Sequence, residues 1–407
     1  MSVPLSGGAG DLFRHHPFLL FFSARGLSKF CYQIGAVAIG WQVYALTGSA
    51  LDLGLVGLAQ FLPSALLLFP AGHVADRFDR RRVVQSSQVV AAATACFLAW
   101  GSFSGFLSVG EIFIAVAIFG AATAFENPAG AAMLPLTTPE GLLQRGTALS
   151  SAAFQIATIA GPAFGGIAYA AAPGAPYAIM AGLWLVAATL NGAIRLRQQT
   201  IGKEPATLGA LFAGVGFVRR NPPILGTISL DLFAVLFGGV TALLPIYARD
   251  ILHTGPWGLG VLRGAPALGA LLMASALARF SMQSRVGMRM FQAVIVFGAA
   301  TVAFALSHWL WLSLLMLVVL GAADMVSVVI RVSLVQLGTP DAMRGRVGAV
   351  NYLFINASSQ LGEFESGMAA ALLGVVPAAA LGGIATIGVA LLWMRLFPTL
   401  RDVERLE

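Results

Sequence analysis

Charged side chains are scarce in this sequence. Its 24 Lys and Arg and 17 Asp and Glu make up 10% of 407 residues, where a soluble domain carries roughly 25%. A water-facing globular surface is thereby excluded. Cysteine is nearly absent too: Cys31 and Cys96 both lie in apolar stretches, which rules out a disulfide framework or a thiolate metal cluster and marks both as buried packing residues. There is no Walker loop, no His-Glu-x-x-His and no Gly-x-Ser-x-Gly, so ATP hydrolysis, metal-assisted chemistry and acyl transfer have no residues to run on. Neither an enzyme nor a cofactor nor a bound metal is expected. What abounds is apolar: 58% of the residues, with a mean hydropathy of +0.85.

A span needs about 20 apolar residues, and the chain divides into twelve such stretches, near 17–46, 50–72, 83–106, 109–133, 147–171, 176–196, 222–248, 256–279, 287–307, 309–332, 347–373 and 375–397. The first is the least clean. The polar start, Met1 to Pro17, leads into a segment too long and too mixed for a signal peptide. The net charge of +7 concentrates in short segments between spans: with the amino terminus inside, 19 of the 24 basic residues fall on the cytoplasmic side and only Arg249 outside. That asymmetry places both termini in the cytoplasm of a multi-pass protein, in a bacterial inner membrane, and leaves no basic face for nucleic acid. The expected fold is all-α, with twelve transmembrane helices in two six-helix bundles. Residues 1–196 form the first and 222–407 the second, joined by a linker over 197–221. The linker is centred on Lys203-Glu204-Pro205 and carries an amphipathic helix over Leu208 to Val218 on the inner surface.

The halves repeat at an offset of 201. Gly120-Ala121-Ala122 recurs as Gly321-Ala322-Ala323 and Thr138-Pro139-Glu140 as Thr339-Pro340-Asp341; Arg145 meets Arg346, Gly161 meets Gly362 and Gly166 meets Gly367. Six spans per copy is even, so the copies are related by an axis along the membrane normal, as in rocking-bundle transporters.

Between the second and third spans lies Gly72-His73-Val74-Ala75-Asp76-Arg77-Phe78-Asp79-Arg80-Arg81-Arg82. Asp76 can face the positive end of a helix while Arg77, Arg80 and Arg81 bond carboxylates and exposed helix carbonyls, which suits a cytoplasmic gate loop. In the fifth span, Gly161-Pro162-Ala163-Phe164-Gly165-Gly166 permits close helix approach and a bend, with Gly161, Pro162, Gly165 and Gly166 as its working residues. The loop resembles the Gly-x-x-x-Asp-Arg-x-Gly-Arg-Arg signature of the major facilitator superfamily, departing at Asp79, where Gly and a tight turn are usual. The fifth span resembles the Gly-Pro-x-x-Gly-Gly motif of its exporters. Tyr44-Ala45-Leu46-Thr47-Gly48-Ser49, Asp76 to Arg81 and Thr339 to Val347 are similar to the branch of siderophore, macrolide and multidrug exporters. The resemblance implies alternating-access transport and an outward direction; it does not name a substrate.

Ionisable groups inside a membrane cost about 2.5 to 3.5 kcal/mol each at a helix centre, so their presence asks for a function. Arg25, Lys29 and Gln33 step by four along one face of the first span; Asp324 and Arg331 share a face of the tenth; Asn356, Gln360 and Glu363 form a polar stripe in the eleventh. Glu126, Asp324, Glu363 and Asp231 are the candidates for a coupling proton, with Arg25, Lys29, Gln33, Arg331, Asn356 and Gln360 as charge partners or cavity lining. The sequence thus reads as a secondary transporter, a proton-coupled exporter of siderophore-like metabolites or drugs, whose partners are a small-molecule substrate, protons and the lipid bilayer and which works as a monomer. Alternatives are a metal-ion or other metabolite transporter of the same fold, or a non-transporting receptor subunit.

Overall fold

The computed structural model describes residues 9–195, 208–280 and 285–405. The expected linker centre, Lys203-Glu204-Pro205, lies outside them. In chain order the helices are α1 (Ala9–Arg14), α2 (His16–Thr47), α3 (Ala50–Leu66), α4 (Leu68–Arg77), α5 (Arg80–Ser104), α6 (Val109–Thr137), α7 (Leu143–Ala171), α8 (Ala175–Ala193), α9 (Leu208–Arg220), α10 (Pro222–Phe237), α11 (Leu244–Ile246), α12 (Gly255–Arg279), α13 (Val286–Ala305), α14 (Leu310–Leu337), α15 (Asp341–Leu373), α16 (Val375–Leu396) and α17 (Pro398–Arg401). No strand occurs among the described residues.

Among those residues nine helical segments are long and apolar enough to cross a membrane, and α3 with α4 makes a tenth span bent by 49°. The bend has a local cause. Pro70, at the third position of α4, cannot bond the Leu66 carbonyl and its ring crowds it, so the helix breaks at Leu67. Helices α2 and α15 are longer, 32 and 33 residues, yet miss the apolar threshold. They are the helices that carry the polar stripes.

The expected gate loop over 72–82 is shorter than the sequence implied: α4 runs to Arg77 and α5 starts at Arg80, leaving Phe78 and Asp79 between them. Asp79 does not need the glycine that the resemblance calls for, because its φ is −58° and its carboxylate accepts the Arg81 backbone N–H, capping α5. Segment 222–251 is also interrupted. After α10, Gly238 and Gly239 lead into a 3-10 turn, α11 and a π turn over Tyr247–Ile251, and a methyl on Gly239 would stand 2.7 Å from the Gly362 carbonyl of α15.

The chain forms two compact units, Met1–Gln42 with Ala59–Ala206, and Val43–Leu58 with Thr207–Glu407. The second therefore takes in the end of α2 and the start of α3, where Gly54 meets the backbone of Phe364 and Gly367. It also takes in α9, placed in the linker by sequence. There α9 packs on α15, with Val218 buried beside Val347 and Val350 and Gly214 against the Arg346 carbonyl. Cys31 is buried, but Cys96 is exposed, a correction to its reading as a packing residue. An apolar run says that a helix is in the membrane, not which side of it faces protein.

Within unit 1, Trp184 Nε1 donates to Ser28 Oγ at 3.1 Å, Thr138 Oγ1 to the Leu134 carbonyl at 2.6 Å, and Gly120 lies against the Gln60 carbonyl. Within unit 2, Trp393 Nε1 donates to Ser229 Oγ at 2.9 Å, Thr339 Oγ1 to the Val335 carbonyl at 2.5 Å, and Gly321 lies against the Pro266 carbonyl. A Cβ at Gly321 would overlap a backbone that cannot rotate away. Gly321→Ala is therefore expected to destabilise unit 2 by about 1–3 kcal/mol, read as a lower thermal midpoint in detergent; an unchanged midpoint would show that α12 and α14 can separate freely.

Candidate functional site

Among the described residues, unit 1 holds an ionic cluster between its helices, and unit 2 holds a charged triad with further ion pairs apart from it. In unit 1 the cluster grows from one face of α2, where Arg25, Ser28, Lys29 and Tyr32 recur at helical spacing. Opposite stand Glu126 and Asn127 of α6. Glu126 is 7% exposed, and its carboxylate is held by neutral donors: Ser28 Oγ at 2.6 Å and Gln88 Nε2 at 3.2 Å on Oε1, Tyr32 Oη at 3.2 Å on Oε2. Asn191 Nδ2 of α8 supports Gln88 at 2.8 Å. Lys29 Nζ donates to Asn127 Oδ1 at 2.9 Å, and the Arg25 guanidinium lies 5.8 Å from the Phe21 ring centre. Arg25, Lys29, Gln88, Glu126, Asn127, Gly130 and Asn191 line a cavity of about 10 Å³, room for about one water.

In unit 2, Arg331 of α14 reaches two carboxylates. Its Nη1 is bonded to Asp231 Oδ1 of α10, and its Nη2 lies 3.6 Å from Asp324 Oδ1 on its own helix. The Asp231 side chain is 9% exposed and that of Asp324 44%. Ser327, one turn before Arg331, has a buried hydroxyl without a hydrogen-bond partner. It shares a second cavity of about 10 Å³ with Asp324 and Arg331.

The polar stripe of α15 sits apart from this triad. Glu363 pairs with Arg263 of α12 at 3.9 Å and faces Gly57, where a methyl would stand 3.0 Å from its Oε2. The Oε1 of Gln360 is buried without a partner. Asn356 belongs to the same helix. Nearer the end of α2, Asp250 accepts from Tyr44 Oη, Arg249 Nη1 donates to the Tyr44 carbonyl at 3.1 Å, and the Arg249 guanidinium lies 5.4 Å from the Tyr44 ring centre.

The remaining sequence candidates act on helix packing and helix ends. Gly161 would place a methyl 2.6 Å from Gln33 Cβ, and Gly165 2.9 Å from the Ile34 carbonyl, so both glycines let α7 lie directly on α2. Pro162 and Gly166 are buried in the same helix, and Gln33 Nε2 donates to Thr158 Oγ1 at 3.4 Å. Arg81 Nη1 donates to the carbonyls of Ile194 at 2.8 Å and Gly192 at 3.4 Å, the free end of α8. Arg80 Nε donates to the Ala75 carbonyl at 3.3 Å. Gly72, Asp76 and Arg77 lie in α4, and Gly72 has open space where a side chain would be.

Several partners escaped the sequence reading. Ser28, Tyr32, Gln88 and Asn191 gave no charge signal, and Arg263, the partner of Glu363, shares no stripe with another polar residue of its span. A Ser-Lys-x-x-Tyr pattern at three- and four-residue steps beside Arg25 was the available sign for the first two.

Residues 9–406 match the model of a family described as transmembrane secretion effector. Among curated relatives, the macrolide efflux protein A of Streptococcus pyogenes is 25% identical over 260 residues, 63% of this chain and 64% of that protein, so the chain spans less than two thirds of its length. The multidrug efflux pump Tap of Mycolicibacterium fortuitum is 28% identical, over 86% of this chain and 88% of its own. The enterobactin exporter EntS of Citrobacter koseri is 26% identical, over 96% and 94%. Among solved structures, the nucleoside transporter NupG, as its D323A mutant, matches with a TM-score of 0.75 at 14% identity, covering 94% of this chain and all of that one. At that identity it bears on the fold alone. The full-length family match and the relatives' names agree: the chain belongs to the transmembrane secretion effector family of the major facilitator superfamily, whose members are multi-pass membrane transporters and not enzymes.

Proposed function

We propose that the protein is a proton-coupled exporter of amphipathic small molecules that works by alternating access, with both termini in the cytoplasm. Export is supported by the relatives named for macrolide, multidrug and enterobactin efflux. Twelve spans follow if α2 and α15 join the nine apolar segments and the bent pair, since a stripe facing a polar interior lowers hydropathy without shortening a helix. Duplication into two six-helix bundles is supported by the Thr–carbonyl bonds of Thr138 and Thr339 and by Gly161 and Gly362, which at the 201 offset lie against Gln33 of α2 and the α10 backbone respectively.

The observation that carries proton coupling is the Asp231–Arg331–Asp324 triad. One guanidinium faces two carboxylates, so the group holds one net negative charge inside the membrane. A proton on Asp324, the more exposed acid, removes that charge and leaves Arg331 held by Asp231 alone. Proton occupancy is thereby tied to the position of one side chain, and the cavity by Ser327 gives room for one delivering water. The metal-ion reading is not favoured: among the described residues no three His, Cys, Asp or Glu side chains come together to hold a metal.

Everted vesicles test the proposal. Accumulation of fluorescent amphipathic probes is expected when the lumen is acidified, and collapse of the pH gradient is expected to abolish it. Accumulation that follows only the probe's own gradient would remove the proton from the cycle.

A further inference from the structure

A hydroxyl inside a membrane helix ordinarily satisfies itself on a carbonyl of the preceding turn. In unit 2, Thr227 bonds the Pro223 carbonyl at 2.7 Å, Ser229 that of Leu225 at 2.6 Å, Thr301 that of Phe297 at 2.9 Å and Thr386 that of Gly382 at 3.0 Å. Ser327 departs from this habit. It is 2% exposed and its Oγ has no hydrogen-bond partner, an arrangement that costs free energy until another group completes the bond. It lines the water-sized cavity that Asp324 and Arg331 also line.

The charge beside that cavity is incomplete as well. Arg331 is bonded to Asp231, and Asp324 Oδ1 lies 3.6 Å from the same guanidinium, so two carboxylates share one cation and a single negative charge remains. The other lining side chains are apolar, Val235 of α10 and Val294 and Phe297 of α13 among them. Such walls do not suit a hard metal ion, which takes about six oxygen ligands. A primary ammonium suits them better. Its three N–H groups match three acceptor atoms, the two oxygens of Asp324 and Oγ of Ser327, and its single charge equals the one left over. The cavity of about 10 Å³ has room for about one water, hence for one ammonium nitrogen. Unit 1 offers no counterpart. At the 201 offset Asp324 corresponds to Thr123, whose hydroxyl bonds the Phe119 carbonyl at 2.8 Å, and Ser327 to Glu126, already held by three donors.

We infer that the Asp324–Ser327 cavity of unit 2 binds a primary ammonium group of the amphipathic molecule that the protein exports, and that its size turns quaternary ammonium away. This rests on the exporter reading above and narrows it to amphipathic primary amines. The space that admits a water on its way to Asp324 admits the ammonium nitrogen instead, so proton and substrate use one carboxylate in turn.

The test is equilibrium binding to the full-length protein in detergent, read by fluorescence anisotropy with the signal of protein-free micelles subtracted. Three probes share one ring system: pyrenemethylamine, its trimethylammonium analogue, and uncharged pyrenemethanol. Wild type is expected to bind the primary amine at least about tenfold more tightly than either other probe, the scale of one hydrogen bond to a charged group. Ser327→Ala keeps every charge and is expected to weaken the amine several-fold while leaving the alcohol unchanged. Phe297→Ala widens the cavity, so it is expected to strengthen binding of the trimethylammonium probe and narrow the preference from the other side. Asp324→Asn loses the charge but keeps one acceptor oxygen; it is expected to weaken the amine about tenfold without preventing its movement down its own gradient at saturating concentration. Equal binding of all three probes, or an amine preference that neither Ser327→Ala nor Phe297→Ala moves, overturns the ammonium site. The exporter reading would survive that result, because gradient-driven accumulation in everted vesicles decides it separately.

Discussion

Asp324→Asn is expected to abolish export driven by a pH gradient while leaving movement of substrate down its own gradient. Asparagine is the size of aspartate and mimics its protonated form, so Arg331 would remain held by Asp231 in every state and no proton could change its position. Gradient-driven flux should fall at least about a hundredfold, the range lost when an essential proton-transfer group is removed. Flux in wild-type and variant vesicles, with and without the gradient, checks this. Glu363→Gln makes the comparison informative. Glu363 pairs with Arg263 at 3.9 Å, and among the described residues no second acid pairs with that guanidinium, so the variant is expected to keep coupling. If Glu363→Gln uncouples transport and Asp324→Asn does not, the triad is an internal brace and the coupling group lies on α15.

Asp231→Leu is expected to lower stability by about 1–3 kcal/mol, because it takes from the buried Arg331 guanidinium its bonded acceptor and leaves it only Asp324, 3.6 Å away and partly exposed. The loss belongs to the missing acceptor of a buried charge, not to the pair. The double variant Asp231→Leu with Arg331→Met should therefore recover most of it, since an apolar pair of similar volume can replace a buried ion pair at little cost. Thermal unfolding of the purified protein in detergent reads both. A double variant no more stable than Asp231→Leu alone would mean that the cost comes from packing around α10 and not from electrostatics. The same argument gives Asp324 a milder structural role, since its side chain is 44% exposed.

These predictions depend on partners that the sequence only partly revealed. That Asp324 and Arg331 share a face was legible, because seven residues make two turns of one helix. That Asp231 joins them was not: Asp231 of α10 and Arg331 of α14 are 100 residues apart in the chain, and no periodicity encodes which helices become neighbours. Glu126 was legible as an intramembrane acid, but the hydroxyls and the amide that bond it are residues too common for composition to flag. The gate segment illustrates the converse. Its charges were plain in the sequence, but a break at Leu67 and a cap at Asp79 turned most of the expected loop into helix.

The sequence by itself determined that this chain lives in a membrane, roughly where its helices begin and end, and which charges the bilayer must tolerate. Burial in lipid is a property of single segments, so it can be read one window at a time. Tertiary structure alone decided which charges meet. It joined Asp231 to Arg331, left Lys29 on an amide, and set α9 on α15. Such pairings follow from helices packing through small residues such as Gly120, Gly161 and Gly321. Close backbone approach between distant segments is a property of the folded chain and not of any stretch of it.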